Sequence, residues 1–282
     1  MASYHYRLVN VFTREGRILT GNPLCVFEDA IGLDDATLQA LALQFNLSET
    51  TFIFPSSRAS AGVRIFTPRY EMAFAGHPTL GTAHVCRALG RGGDQLTLEM
   101  PAGIIPAHAT GDCWTFKAPA SSFREVAQPR AEIARMLSLE EGDLAERPLW
   151  VKAGREQLMV PLVSASAVRR ALPRPLLLDA FHGEDGASMA YVFAPTDAAG
   201  ELLARFFFPQ GPAVLEDPAT GSAAANLGGW YLAMGHRAPL QVRIAQGEQV
   251  GRPSTLQLAI DAEAGIFVSG EVIELGRGSV RL

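Results

Sequence analysis

Residues 216–235 read EDPATGSAAANLGGWYLAMG. Two acidic residues stand directly before a proline, and the segment that follows is mostly Ala, Gly and Ser. Wound as a helix, it has no charged face, and a helix without a polar face must be enclosed. The pattern predicts a buried helix over 219–234, with Pro218 at its first turn and Gly235 as its C-terminal cap.

The first half of the chain carries a matching passage. Residues 64–83 read RIFTPRYEMAFAGHPTLGTA and residues 205–224 read RFFFPQGPAVLEDPATGSAA. Each runs from an Arg-led aromatic strand through a proline to a tight turn, then to a small-residue helix. Pro68 and Pro209 lie 141 positions apart, half of the 282 residues (209 − 68 = 141). A second enclosed helix is therefore expected over 78–89, closed by Gly90. Amphipathic helical patterns precede each copy, at 33–47 and 128–139.

Short runs rich in Val, Ile, Phe and Thr, punctuated by Gly and Pro, read as strands. They fall at 4–12, 23–28, 50–54, 62–67, 95–100 and 112–117 in the first half. In the second half they fall at 149–153, 156–161, 189–194, 204–208, 240–245 and 255–260. Residues 99–107 read as a hairpin, and 266–282 as two strands returning to the first domain. The least patterned connection is 117–130. The fold class is thus α+β: two pseudo-symmetric domains, each a β-barrel-like, mainly antiparallel sheet wrapped around a central apolar helix. The domains are 1–118, joined by 266–282, and 130–265.

Composition narrows the function. The net charge is −5 and the chain contains only two lysines, Lys117 and Lys152, so no basic footprint for nucleic acid is present. No apolar run is long enough to span a bilayer, and no signal peptide is visible. Cys25, Cys86 and Cys113 lack metal-type spacing, and a reducing cytoplasm is the expected compartment. Dinucleotide, P-loop, nucleophile-elbow and paired-histidine metal motifs are absent, so no cofactor or metal is expected.

An enclosed helix whose N-terminus opens at one end presents unpaired N–H groups and a partial positive charge, which suits an anion. Two such ends facing a shared cleft would grip a small carboxylate. His77 and Asp217 stand at the two turns. Each also has an ordinary structural reading, Asp217 as an N-cap and His77 as a packed core histidine. Glu49, between a helix and the strand TTFIF, is either a surface carboxylate or, beside Phe45, Phe52 and Phe74, one whose pKa desolvation raises. A carboxylate tuned upward works as both acid and base. Asn22 is either a turn residue or a hydrogen-bonder to substrate.

GNPLCVF (21–27), NLSETTFIF (46–54), FTPRYEMAFAGHPTLGTAH (66–84) and LEDPATGSAAANLGGWYL (215–232), in that order, resemble the PhzF family of phenazine-biosynthesis isomerases. The fold resembles that of diaminopimelate epimerase. The resemblance implies an active site between two similar domains, proton shuttling without a cofactor, and a homodimer. It assigns the moving proton to Glu49, with Gly76 and His77 from one block and Asp217 and Ser222 from another. Epimerases of this fold use a cysteine in each half, and none of the three cysteines here lies at either turn.

The expectation is an isomerase acting on a small amino/hydroxy carboxylic acid in the interdomain cleft. Glu49, His77 and Asp217 are catalytic, and Asn22, Gly76, Gly221 and Ser222 bind substrate. The rival readings are a racemase or epimerase with non-cysteine bases, and a ligand-binding member without turnover.

Overall fold

Each charge-poor segment folds as a 13-residue helix, Gly76–Ala88 and Gly221–Ala233. Both are buried along most of their length. Both end in the same way: Gly90 and Gly235 adopt positive φ (72° and 76°). Their N–H groups bond Arg87 and Leu232, while Arg91 and His236 bond back to Cys86 and Tyr231. This is the paired bonding of a glycine-terminated helix.

The computed structural model describes every residue from Met1 to Leu282. It divides into two units, Met1–Lys117 with Ser269–Leu282, and Ala118–Val268. The first contains β1 (Ser3–Val11), β2 (Asn22–Phe27), α1 (Asp35–Phe45), β3 (Thr50–Phe54), β4 (Ala61–Phe66), β5 (Glu71–Met72), α2 (Gly76–Ala88), β6 (Gln95–Met100), β7 (Gly103–Thr110) and β8 (Cys113–Lys117). The second contains β9 (Ser122–Glu125), α3 (Arg130–Met136), β10 (Leu149–Lys152), β11 (Glu156–Pro161), α4 (Ala165–Arg170), α5 (Pro175–Leu178), β12 (Ala190–Pro195), β13 (Glu201–Gln210), β14 (Ala213–Asp217), α6 (Gly221–Ala233), β15 (Leu240–Gln246) and β16 (Ser254–Ile260). A last strand, β17 (Ile266–Arg281), gives most of its length to the first unit.

In the first unit the strands pair in the order β17-β1-β2-β3-β4-β6-β7-β8 and back to β17, an eight-stranded closed barrel. In the second the order is β9-β10-β11-β12-β13-β15-β16. The pairing scheme repeats. β2–β3 and β11–β12 are parallel across α1 and across α4–α5. β4–β6 and β13–β15 are parallel across α2 and α6, with β5 and β14 as return strands.

Small residues on the central helices admit strand side chains. A Cβ on Gly81 would lie 2.6 Å from Leu24, and one on Gly229 would lie 2.8 Å from Val151. The opposite sheet faces carry their own cores. Cys25, Phe27, Phe52 and Phe66 pack under α1, and Trp150, Val160, Val192 and Phe207 pack under α3 and α4. α1 starts at an Asp34 cap that accepts from the Thr37 N–H at 2.8 Å and ends at left-handed Asn46.

One device occurs twice. Arg64 of β4 lies over the Phe66 ring and grips Glu71 of β5 with two hydrogen bonds (2.8 and 2.6 Å). Arg205 of β13 lies over Phe207 and grips Glu216 of β14 (3.1 and 2.7 Å). The register is the same, Phe66 opposite Glu71 and Phe207 opposite Glu216. Arg205 also donates to the carbonyls of Val168, Arg169 and Ala171 at the end of α4.

The structure corrects several local expectations. Residues 266–281 form one strand with an irregularity opposite Leu8/Val9. Residues 122–125, within the stretch read as unpatterned, pair with β10. Pro218 lies outside α6, whose N-cap is Thr220, and Asp217 is the last residue of β14. From the clamp through the central helix the two copies are offset by 145 residues (216 − 71 = 145), because the β13–β14 hairpin is longer, and the next strands, β6 and β15, by 146 (244 − 98 = 146). The equivalent of His77 is therefore Ser222. Asp217 is equivalent to Met72.

Candidate functional site

In the first unit the site residues come together around the start of α2. Gly21 holds φ at +79°, and a Cβ there would meet the Val11 carbonyl oxygen at 2.5 Å, so only glycine fits this close turn. The turn delivers Asn22 as the fully buried first residue of β2. Ser48 donates to Asn22 Oδ1 at 3.2 Å, and Asn22 Nδ2 lies 3.5 Å from His77 Nδ1. His77, in the first turn of α2, is buried, and its Nε2 lies 3.5 Å from Glu49 Oε2. The Glu49 side chain is 16% exposed and stands just ahead of β3. Gly76 begins the helix. Asn22, Glu49, Gly76 and His77 thus form one group.

Burial pushes His77 down to about 3, against a weaker opposing effect of its hydrogen bond to the Pro23 backbone. Proline has no N–H, so that bond runs from the ring to the Pro23 carbonyl. The ring is neutral at pH 7, and its contact with Glu49 is not a salt bridge. The expected rings do not gather as one patch: Phe45 meets Phe27 edge-on and Phe52 stacks on it, whereas Phe74 meets Phe116.

The buried neutral histidine has a consequence for stability. Its folded value lies below the ordinary one near 6.5, so its stabilising contribution is complete above 6.5 and is lost as pH falls toward 3. Unfolding at pH 5 releases a ring that takes up a proton, costing about 2 kcal/mol relative to pH 7. Urea unfolding at both pH values is expected to show this loss in the wild type and a correspondingly smaller one in His77→Gln. Equal losses in both proteins would remove His77 as the cause.

In the second unit Asp217, Gly221 and Ser222 lie along the end of β14 and the first turn of α6. The Thr220 hydroxyl donates to Asp217 Oδ2 at 2.6 Å. Gln246 Nε2 donates to the Asp217 carbonyl (2.9 Å) and to Thr220 Oγ1 (3.0 Å). Ser222 Oγ accepts from Gln157 Nε2 at 3.1 Å. Gln157 Oε1 in turn accepts from Asn226, which also bonds Arg155 and Ala153. Tyr191, Phe206 and Asp217 are directly opposite one another on β12, β13 and β14, hence on one sheet face. The Tyr191 hydroxyl is buried there, and burial raises its pKa.

Sequence reading missed Ser48, Gln157, Tyr191, Thr220, Asn226 and Gln246. One signal was available: alternation along LQVRIAQ puts Gln246 in phase with the buried Val242 and Ile244. The cysteines take no part. Cys25 and Cys86 are buried, which raises the Cys25 thiol and pushes Cys86 up to about 12, and Cys113 is raised as well.

Comparison with known proteins places the chain. A family model described as phenazine biosynthesis-like protein (PhzC-PhzF) matches residues 9–274. An uncharacterized isomerase of Pasteurella multocida is 37% identical over 283 residues, covering 99% of this chain and 95% of that one. The trans-2,3-dihydro-3-hydroxyanthranilate isomerase of Pseudomonas chlororaphis is 32% identical over 294 residues, covering 99% and 100%. The crystal structure of a PhzF-family phenazine biosynthesis protein from Bacillus anthracis superposes with a TM-score of 0.88 at 24% identity, covering 100% of both chains. With four motif blocks in order, a duplicated scheme of strands around a central helix and matches spanning nearly the whole length, the chain belongs to the phenazine biosynthesis-like PhzC-PhzF family and is an isomerase.

Proposed function

We propose that this isomerase moves a proton between carbons of a small, unsaturated or cyclic amino/hydroxy carboxylic acid, with Glu49 as the acid–base group. The observation that carries the reading is the half-buried Glu49 carboxyl group 3.5 Å from a buried, neutral His77. A carboxyl group beside a neutral partner and still open to a ligand is placed to take up a proton and return it. Glu49 takes a proton from one substrate carbon, the electron pair shifts through the adjacent double bond, and the same carboxyl group returns the proton to another carbon. No net charge or redox change results.

His77 is well suited to support this cycle because it stays uncharged. With its one N–H bonded to the Pro23 carbonyl, the neutral ring faces Glu49 with Nε2 as an acceptor, and so favours the stage of the cycle in which the carboxyl group holds the proton. The Pro23 carbonyl holds the ring's far side, beside Asn22, whose amide oxygen accepts from Ser48. Asp217 is assigned to the substrate's amine or hydroxyl. The N–H groups of Gly221 and Ser222 at the start of α6 are assigned to its carboxylate, and Gly76 at the start of α2 is assigned to substrate binding. Epimerisation by paired cysteines has no support, since all three thiols are held in the protonated form by burial.

The compound named in the Pseudomonas chlororaphis relative, trans-2,3-dihydro-3-hydroxyanthranilate, is the first probe. Incubated in D2O with the wild-type protein, the probe or a related unsaturated amino acid is expected to gain one carbon-bound deuterium, read by mass spectrometry. Isomerised product without deuterium uptake, under conditions where the carboxyl proton exchanges with solvent, would refute the proton-shuttle reading.

A further inference from the structure

We propose that Thr220 and Gln246 are positioning residues that hold the Asp217 carboxylate in one orientation toward substrate. This rests on the assignment of Asp217 to substrate binding. The direction of each hydrogen bond follows from the donors present. Gln246 Nε2 donates to two acceptors, the Asp217 carbonyl at 2.9 Å and Thr220 Oγ1 at 3.0 Å, while Gln246 Oε1 accepts from the Thr220 N–H at 3.4 Å. With its oxygen already accepting, the threonine hydroxyl has its single hydrogen left for Asp217 Oδ2, at 2.6 Å. Gln246 is fully buried and Thr220 nearly so, so neither has water as a competing partner.

The ordinary explanation is that Thr220 caps α6 and Gln246 satisfies the turn. Two observations count against it. Thr220 occupies the N-cap position, yet its side chain makes no capping bond to the helix; its hydroxyl is spent on Asp217. The duplicated turn in the first unit also forms without any of these groups. The N-cap there is Ala75, again without a side-chain cap bond, and the residue equivalent to Asp217 is Met72. The residue equivalent to Gln246, at the end of β6, is the buried Met100. The backbone turn therefore needs neither the threonine nor the glutamine. Where one copy has Met, Ala and Met, the other has Asp, Thr and Gln, and the three polar groups bond to one another. Thr220 and Gln246 belong with the carboxylate, as outer partners that fix the angle of a functional group.

The deuterium-exchange assay tests this with Thr220→Val, Thr220→Ser, Gln246→Met, Asp217→Asn and the double variant Thr220→Val/Asp217→Asn. Thr220→Val keeps the shape and removes the hydroxyl. It is expected to lower kcat/KM about tenfold through loss of alignment. Thr220→Ser should restore activity to within about twofold of wild type, and Gln246→Met should show a loss of the same order as Thr220→Val. The double variant should be no slower than Asp217→Asn alone, because a group that acts only through Asp217 has nothing left to align. A crystal structure of Thr220→Val should show Asp217 away from its wild-type rotamer.

Wild-type exchange by Thr220→Val, or multiplication of the two losses in the double variant, would overturn the proposal. So would an unmoved Asp217 rotamer in Thr220→Val. A fully active Asp217→Asn would instead sink the substrate-binding assignment itself, with the rotamer comparison still deciding whether Thr220 holds the carboxylate.

Discussion

Glu49→Gln is expected to lower deuterium incorporation at the substrate carbon by about 10²–10⁴-fold, the range that a positioned general acid–base group supplies. The amide is nearly isosteric and keeps hydrogen-bonding capacity beside His77, but it does not accept a proton from carbon. Because Glu49 lies ahead of β3 and its side chain is 16% exposed, the variant should retain the wild-type melting temperature. Loss of exchange with unchanged thermal stability would separate chemistry from folding. Undiminished exchange in Glu49→Gln would remove this residue from the role and shift attention to Asp217. The measurement is initial-rate mass spectrometry in D2O at equal protein concentrations.

The second large effect concerns stability, and the duplication supplies its own control. Arg205 and Glu216 form an ion pair whose side chains are 10% and 8% exposed. Their counterparts Arg64 and Glu71 have the same register and the same ring beneath the guanidinium, but are 29% and 30% exposed. Arg205→Met leaves Glu216 buried and uncompensated, and it also takes a donor from the carbonyls of Val168 and Ala171 at the end of α4. The expected cost is about 3–5 kcal/mol. That corresponds to a fall of roughly 10 °C in Tm for a chain of this size. Arg64→Met, where solvent screens the pair, should cost about 1 kcal/mol or less. Calorimetry on the two variants compares the same Arg–Glu pairing at two depths of burial, Arg64 also bridging exposed Asp35 and Arg205 also holding the end of α4. The double variant Arg205→Met/Glu216→Leu should recover most of the loss, since removing both charges removes the stranded one. Equal melting temperatures for Arg64→Met and Arg205→Met would show that burial is not what sets the strength of this clamp.

The enclosed helices were legible because composition alone excludes a solvent face, and because a glycine at the right distance ends each one. Gly90 and Gly235 both close their helices by the same pair of bonds. The start of α6 was less legible. Pro218 suits a first turn, but extended Thr220 intervenes and the helix begins at Gly221. The apparent match of His77 with Asp217 failed for a related reason. The longer hairpin between β13 and β14 shifts the second copy by four positions (145 − 141 = 4), which a comparison by eye absorbs unnoticed. The Asn22–Glu49–His77 group was readable as motifs, although their approach to one another was not. Gln157 and Gln246 act from 65 and 29 positions away from Ser222 and Asp217. Alternation marks Gln246 as inward-facing, but no local pattern links either glutamine to its partner, and only the folded sheet reveals the pairing.

The β17 strand closes the first barrel, and its place in the chain sets an order of assembly. Residues 1–117 leave the ribosome before the 151 residues of the second unit (268 − 117 = 151), and the strand completing their barrel comes after those. At 5–20 residues per second the interval is roughly 8–30 s. During it β1 and β8 each expose an unpaired edge, the condition in which nascent chains invite chaperones or stray strands. The unit synthesised first is thus the one finished last, and the second unit, contiguous in the chain, is free to fold while the first waits.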